Sequence, residues 1–283
     1  FAFFFAMALT PVLTHYLYAY KCWRKRIRTT ATDGGATPIT SRLRMETAEG
    51  NTPRMGGIII WASTFAVTLF FAILGIEKLN FLSREQTWLP LFTLIAASLL
   101  GLVDDIAQVR DRGSYSDGGL PLWLRIAVVV LIGAIGGWWF FFKLGMSSIL
   151  VPFLGEVAIG PFFIPLFIIV MLALFSGGVI DGVDGLSGGV MATIFGAYAG
   201  IALIQNQVDL ATFCAVVAAT TLAFLWFNIP PARFFMSETG ILGLTTSLTV
   251  VAFLTQQVAV LAIIAFPLFA EGGSSLIQLL SKR

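Results

Sequence analysis

Charge, cysteine and histidine are all scarce in this chain. Only 11% of its residues are charged against 58% hydrophobic, and the mean hydropathy is +0.91. A soluble domain carries roughly 25% charged residues, so a soluble module is excluded. Cys22 and Cys214, the two cysteines, lie beside a basic loop and inside an apolar run, which argues against a disulfide framework or a zinc site. The single histidine, His15, falls in the first apolar run and reads as a packing or helix-end residue. A net charge of +2, with no basic block interleaved with aromatics, speaks against nucleic acid as a partner. Walker-type, zinc-protease and dinucleotide fingerprints are missing, as is any repeat of fixed period. The first apolar run starts at Phe1 without an initiator Met or a signal-cleavage pattern. Residues 1–283 are therefore expected to be one integral membrane domain, cut from a longer or processed protein.

What the chain has is apolar runs close to the ~20 residues that a spanning helix needs. They fall at roughly 1–20, 56–76, 88–103, 122–142, 161–180, 188–205, 210–228, 240–255 and 259–280. The fold class predicted is all-α, a polytopic transmembrane protein with about nine spans. After the first span come Lys21, Arg24, Lys25, Arg26, Arg28, Arg42, Arg44 and Arg54, which places that loop in the cytoplasm by the positive-inside rule. Alternating from there leaves only Lys78, Arg84 and Lys143, of 17 basic residues, on the outer side.

The same count gathers Asp104, Asp105, Asp181, Asp184 and Glu238 on the cytoplasmic face, at the ends of three different runs. Carboxylates held near the hydrocarbon boundary lose solvation energy, so their convergence points to a metal, a cation path or a phosphorylated substrate. In Gly101-Leu-Val-Asp104-Asp105 two like charges repel unless a cation compensates, and magnesium does so where phosphates are handled. The alternative is a solvated helix end facing Arg110 and Arg112. Asp181-Gly-Val-Asp184-Gly follows Ser176-Gly-Gly; the glycines admit a close backbone approach, and the spacing puts both carboxylates on one side of a turn. The alternative is small-residue packing at a membrane turn. Between the seventh and eighth spans, Asn228 offers an amide, Pro230-Pro231 stops a helix, and Phe234-Phe235 offer stacking faces. That segment reads otherwise as an interfacial aromatic loop. Thr52-Pro-Arg-Met-Gly56-Gly57 says little by itself.

In this order the segments resemble the polyprenyl-phosphate N-acetylhexosamine-1-phosphate transferases, from Thr52 to Gln278. The Thr-Pro-x-Met-Gly-Gly form and Glu271-x-x-Ser274-x-x-x-Gln278 favour the branch that acts on UDP-MurNAc-pentapeptide. The resemblance implies ten spans, the tenth and a histidine-rich loop falling after Arg283. It implies magnesium as cofactor, held by Glu238, with Asp104, Asp105 and Asp181 catalytic. Asp184, Asn228, Phe235, Arg112, Arg125 and Gln278 are implied to bind substrate. The implied partners are UDP-MurNAc-pentapeptide, undecaprenyl phosphate and membrane lipid, with homodimerisation left open. The implied location is the bacterial inner membrane, with the active site on the cytoplasmic face. Three groups of departures accompany it. Ser237 and Glu238 stand where the family has Gly and Asp, and Phe175 and Gly178 stand where it has Asn. Gln108, Arg112 and Arg125 replace lysines. Three alternatives remain: a UDP-GlcNAc-using relative, a cation-coupled transporter, and a catalytically silent relative that binds UDP-sugar or lipid.

Overall fold

The computed structural model describes residues 1–23, 52–75, 80–82, 86–110, 119–152, 154–178 and 184–281. Helices α1 (Ala2–Ala19), α2 (Ile58–Leu74), α3 (Trp88–Val109) and α4 (Leu122–Phe142) come first. A hairpin of β1 (Ser148–Val151) and β2 (Gly155–Ala158) follows, Ser148 pairing antiparallel with Ala158. Then come α5 (Phe163–Ser176), α6 (Leu186–Ile204), α7 (Val208–Asn228), α8 (Ser237–Leu254), α9 (Val258–Ile264) and α10 (Phe266–Ser281). Among the described residues six helices, α1, α3, α4, α6, α7 and α8, are long and apolar enough to cross a membrane; α2 and α5 are shorter apolar helices. Helices predominate because a chain in hydrocarbon must satisfy its own backbone polar groups.

Helix α8 is the hub. It is 89% buried, against 22% for α1 at the periphery, and it packs along α3 and α5. Its Thr- and Gly-rich sequence is a poor helix former in water. Inside the bundle Thr245, Thr246 and Thr249 donate to the carbonyls of Ile241, Leu242 and Thr245, one turn earlier, so no hydroxyl among them is left unpaired in an apolar setting. Small residues let the backbones close up: a Cβ on Gly57 would collide with the backbone of Gly240, and one on Gly243 with Ser98.

Three features differ from the sequence expectation. The run 259–280 is split at Ala265, because Pro267 has no N–H to continue a helix and is tolerated only in a first turn. The third span runs on to Val109, so the acidic pair lies in the closing turns of α3 instead of beyond them. The hairpin was not foreseen, its strands being only four residues each.

Candidate functional site

The N-terminal ends of α2, α4, α6 and α8 meet the C-terminal ends of α3 and α7 at one end of the bundle. There the chain between Pro53 and Gly57 runs beside the chain between Phe235 and Ser237. Phe235 N donates to Pro53 O (2.9 Å), Gly56 N to Phe235 O (2.8 Å) and Gly57 N to Met236 O (3.0 Å). Met55 N donates to Ser237 Oγ at 3.3 Å. These rungs hold the first turn of α8, and Glu238 with it, against the start of α2.

Ser237 sits at φ +61°, in the left-handed region where a side chain is strained and glycine is not. A glycine at this place, as in the family pattern, is thus what the backbone conformation favours. Ser237 is tolerated because its hydroxyl takes up Met55 N. We expect Ser237→Gly to leave stability within about 1 kcal/mol and Ser237→Val to cost ~2 kcal/mol or more, branched side chains being least tolerant here. Thermal unfolding in detergent measures both; a Val variant melting with the wild type would refute the account.

Three carboxylates gather around this turn. Asp105 is fully buried; its Oδ2 accepts from Thr239 N at 3.0 Å, and its Oδ1 faces Arg54 Nε at 3.7 Å without a hydrogen bond. Asp104, also buried, accepts from Leu120 N (2.6 Å) and from Gln108 Nε2 (2.9 Å), while Arg125 Nε lies 3.2 Å from its Oδ2. A second guanidinium nitrogen of Arg125 pairs with Glu238 Oε1. One arginine therefore spans α3 and α8. Gly101 makes the approach possible, since a Cβ there would run into the backbone of Glu238 and Thr239. A shallow groove of about 60 Å³ opens beside the triad, lined by Leu100, Val103, Val128, Phe175 and Leu242, with Asp104, Arg125 and Glu238 among its polar residues.

A second group lies on the adjoining loops. Ile229, which precedes Pro230, is extended as that position requires, and it ends α7 at Asn228. Asn228 is buried and clamps two segments: its Oδ1 accepts from Gly185 N and its Nδ2 donates to Phe234 O, both at 2.9 Å. Asp184 Oδ2 accepts from Ala232 N at 3.2 Å. Phe234 is buried against Phe224 and Phe227, whereas Phe235 remains half-buried. The Arg233 guanidinium lies 5.6 Å from the Phe227 ring centre.

Of the residues expected from the sequence, Asp104, Asp105, Glu238 and Arg125 come together, and Asp184, Asn228 and Phe235 form the neighbouring group. Asp181 and Arg112 lie outside the described residues, and Gln278 is placed only as a position on α10. Arg54 was missed. Its signal was a cation at the mouth of the second span, on the same face as the acidic pair. Gln108, which replaces a lysine, is engaged with Asp104, and Phe175, which replaces an asparagine, lines the groove.

Residues 87–256 match the family model described as glycosyl transferase family 4. Relatives named phospho-N-acetylmuramoyl-pentapeptide-transferase include one from Geobacillus sp., 38% identical over 237 residues, covering 81% of this chain and 69% of that protein. One from Bacillus mycoides is 35% identical over 245 residues, covering 82% and 70%. One from Chloroflexus aurantiacus is 30% identical over 236 residues, covering 80% of this chain and 62% of that protein. The chain thus spans under two thirds of the length of the Chloroflexus relative.

Proposed function

The chain belongs to glycosyl transferase family 4, and from that premise we propose that it is a phosphosugar transferase of the bacterial inner membrane. In this reading the phosphate of undecaprenyl phosphate attacks the β-phosphorus of UDP-MurNAc-pentapeptide. The bond from that phosphorus to the bridging oxygen breaks, UMP leaves, and the lipid-linked sugar diphosphate forms. The observation that carries the reading is the meeting of Asp104, Asp105, Glu238, Arg54 and Arg125 at one end of a membrane bundle, beside an apolar groove. Charged groups for a pyrophosphate and an apolar trough for a prenyl chain are what a lipid-phosphate acceptor requires.

The attacking phosphate monoester is already largely dianionic near pH 7, its second pKa being about 6, so positioning and charge neutralisation outweigh proton removal. Arg125, at the mouth of the groove, and Arg112 would take the lipid phosphate or pyrophosphate oxygens. Asp104 orients Arg125. Asp105 fixes Arg54 and the first turn of α8. Phe235 would stack on the uracil, with Asp184 and Asn228 shaping that pocket through the loops they hold, and Asp181 would serve the nucleotide side. Gln278 would contact substrate from α10.

The donor set suits magnesium. All three carboxylates are hard oxygen donors, and the buried Oδ1 of Asp105 has no hydrogen bond. Among the described residues, however, no three His, Cys, Asp or Glu side chains form a ready-made cage. Glu238, with Asp104 and Asp105 nearby, would hold the ion, whose contribution is to offset charge on the pyrophosphate.

The reading is tested in membranes by supplying each UDP-sugar in turn. UMP release and label transfer with UDP-MurNAc-pentapeptide support it, while transfer with UDP-GlcNAc alone moves the chain to the other branch. Nucleotide binding without UMP release would identify a silent relative. Glu238→Asp should retain or raise magnesium-dependent turnover; activity that no longer depends on magnesium would remove Glu238 as the ligand. A cation-coupled transporter places its carboxylates near mid-span, whereas Asp104 and Asp105 lie in the closing turns of α3 and Glu238 in the first turn of α8.

A further inference from the structure

We propose that Arg125 is a built-in competitor for the cation site: its guanidinium occupies Glu238, and a divalent ion binds by taking Glu238 away from it. The proposal rests on the magnesium reading above. Of the three carboxylates only Glu238 is open to the outside, its side chain being 23% exposed against 3% for Asp104. Both inner carboxylates are buried, and each has an arginine beside it. Asp104 takes a backbone amide, Gln108 and Arg125, and Asp105 takes the Thr239 amide and faces Arg54. An ion arriving from outside therefore meets Glu238 first, and finds Arg125 on it.

Arg125 is built for this double hold. Its planar fork presents separate nitrogens to separate acceptors, Nε toward Asp104 and an outer nitrogen to Glu238. Nε also donates to Leu120 O at 3.3 Å, so the inner half of the guanidinium is fixed on two acceptors. The outer half has Glu238, and the side chain as a whole is 23% exposed and lines the groove. Yielding Glu238 to a cation would leave Arg125 anchored on Asp104, its freed nitrogens turned toward the place where a phosphate enters. The extra methylene of Glu over Asp carries the carboxylate farther from α8 and toward this arginine. A lysine in place of Arg125 keeps the charge, but as a single compact ammonium it cannot divide its donors between two helices in the same way.

The test is a titration of the purified full chain in detergent with Mn²⁺, reading free ion by electron paramagnetic resonance at constant ionic strength. Arg125→Lys and Arg125→Gln are both expected to bind Mn²⁺ about tenfold more tightly than wild type, the weight of one charge-assisted hydrogen bond. Unchanged or weaker binding in Arg125→Lys overturns the proposal. Tightening confined to Arg125→Gln does so as well, because it would report net charge instead of occupancy. Should either Arg125 variant melt out, Glu238→Asp provides the second route. Its shorter arm withdraws from Arg125 and should bind Mn²⁺ more tightly than Glu238; weaker binding overturns the proposal. If no form binds Mn²⁺ and wild-type transfer survives chelation, the magnesium reading itself fails and takes this inference with it. A Mn²⁺ site of unaltered affinity would sink the inference alone.

Discussion

Asp105→Asn should lower transfer of labelled phospho-MurNAc-pentapeptide to lipid by at least about 100-fold while the protein stays folded. Asn matches Asp in size and keeps an oxygen for the Thr239 amide, so the first turn of α8 stays docked. What disappears is the negative charge facing Arg54. Breaking a buried ion pair is severe when the survivor is sealed from water, but the Arg54 side chain is 18% exposed. We therefore expect a stability cost of only ~1–3 kcal/mol, read as a modest fall in melting temperature. The larger effect is electrostatic. With Asp105 neutral, Arg54 loses its counterion and the surroundings of Glu238 carry one negative charge fewer. Wild-type rates in a folded Asp105→Asn protein would rule the residue out of the reaction. Rates that fall only in step with the amount of folded protein would make its role structural.

Gly101→Ala should be the most damaging change that adds a single methyl group. The new Cβ would meet backbone atoms, the carbonyl of Glu238 and the Cα of Thr239, none of which can swing aside. Relief requires α3 and α8 to part at the turn that carries Glu238 and the Asp105–Thr239 bond. Overpacking of this kind costs ~1–3 kcal/mol, or more where only backbone can yield. Any parting also lengthens the Arg125 span between Asp104 and Glu238, so transfer should fall by at least about tenfold, because sub-ångström placement controls such sites. Gly189, where a Cβ would meet nothing within 4 Å, is the control: Gly189→Ala should leave melting and activity near wild type. Equal behaviour of the two variants would show that the α3–α8 contact is not what holds the site.

The bundle was legible because hydrocarbon imposes a local rule. Apolar runs of sufficient length become helices, and the order of Arg and Lys between them set which ends lie together. The gathering of Asp104, Asp105 and Glu238 could be read on that basis alone. The partners of each could not, because they come from elsewhere in the chain. Arg54 reaches Asp105 only once the segment 53–57 lies beside 235–237, and nothing in the periodicity of either segment announces that pairing. Gly57 and Gly101 likewise looked like ordinary membrane glycines until the opposing backbones of Gly240 and Glu238 were seen. The departure from Gly to Ser at position 237 was visible in the sequence, but its meaning needed the positive φ.

The rungs between Pro53–Gly57 and Phe235–Ser237 also carry a consequence for how the protein is made. Met55 and Ser237 are 182 positions apart, so during synthesis α1 to α7 enter the membrane before the helix that completes the site exists. Until α8 arrives, Asp105 lacks Thr239 and Arg125 lacks Glu238, and α3 must wait with Asp105 unmatched. Long-range closure of this sort is slow and leaves surface exposed while it waits. Arg125, which can reach Asp104 before α8 exists, is then more than part of a finished site. It is the provisional counterion that lets one carboxylate sit at a membrane boundary while the chain is still being delivered.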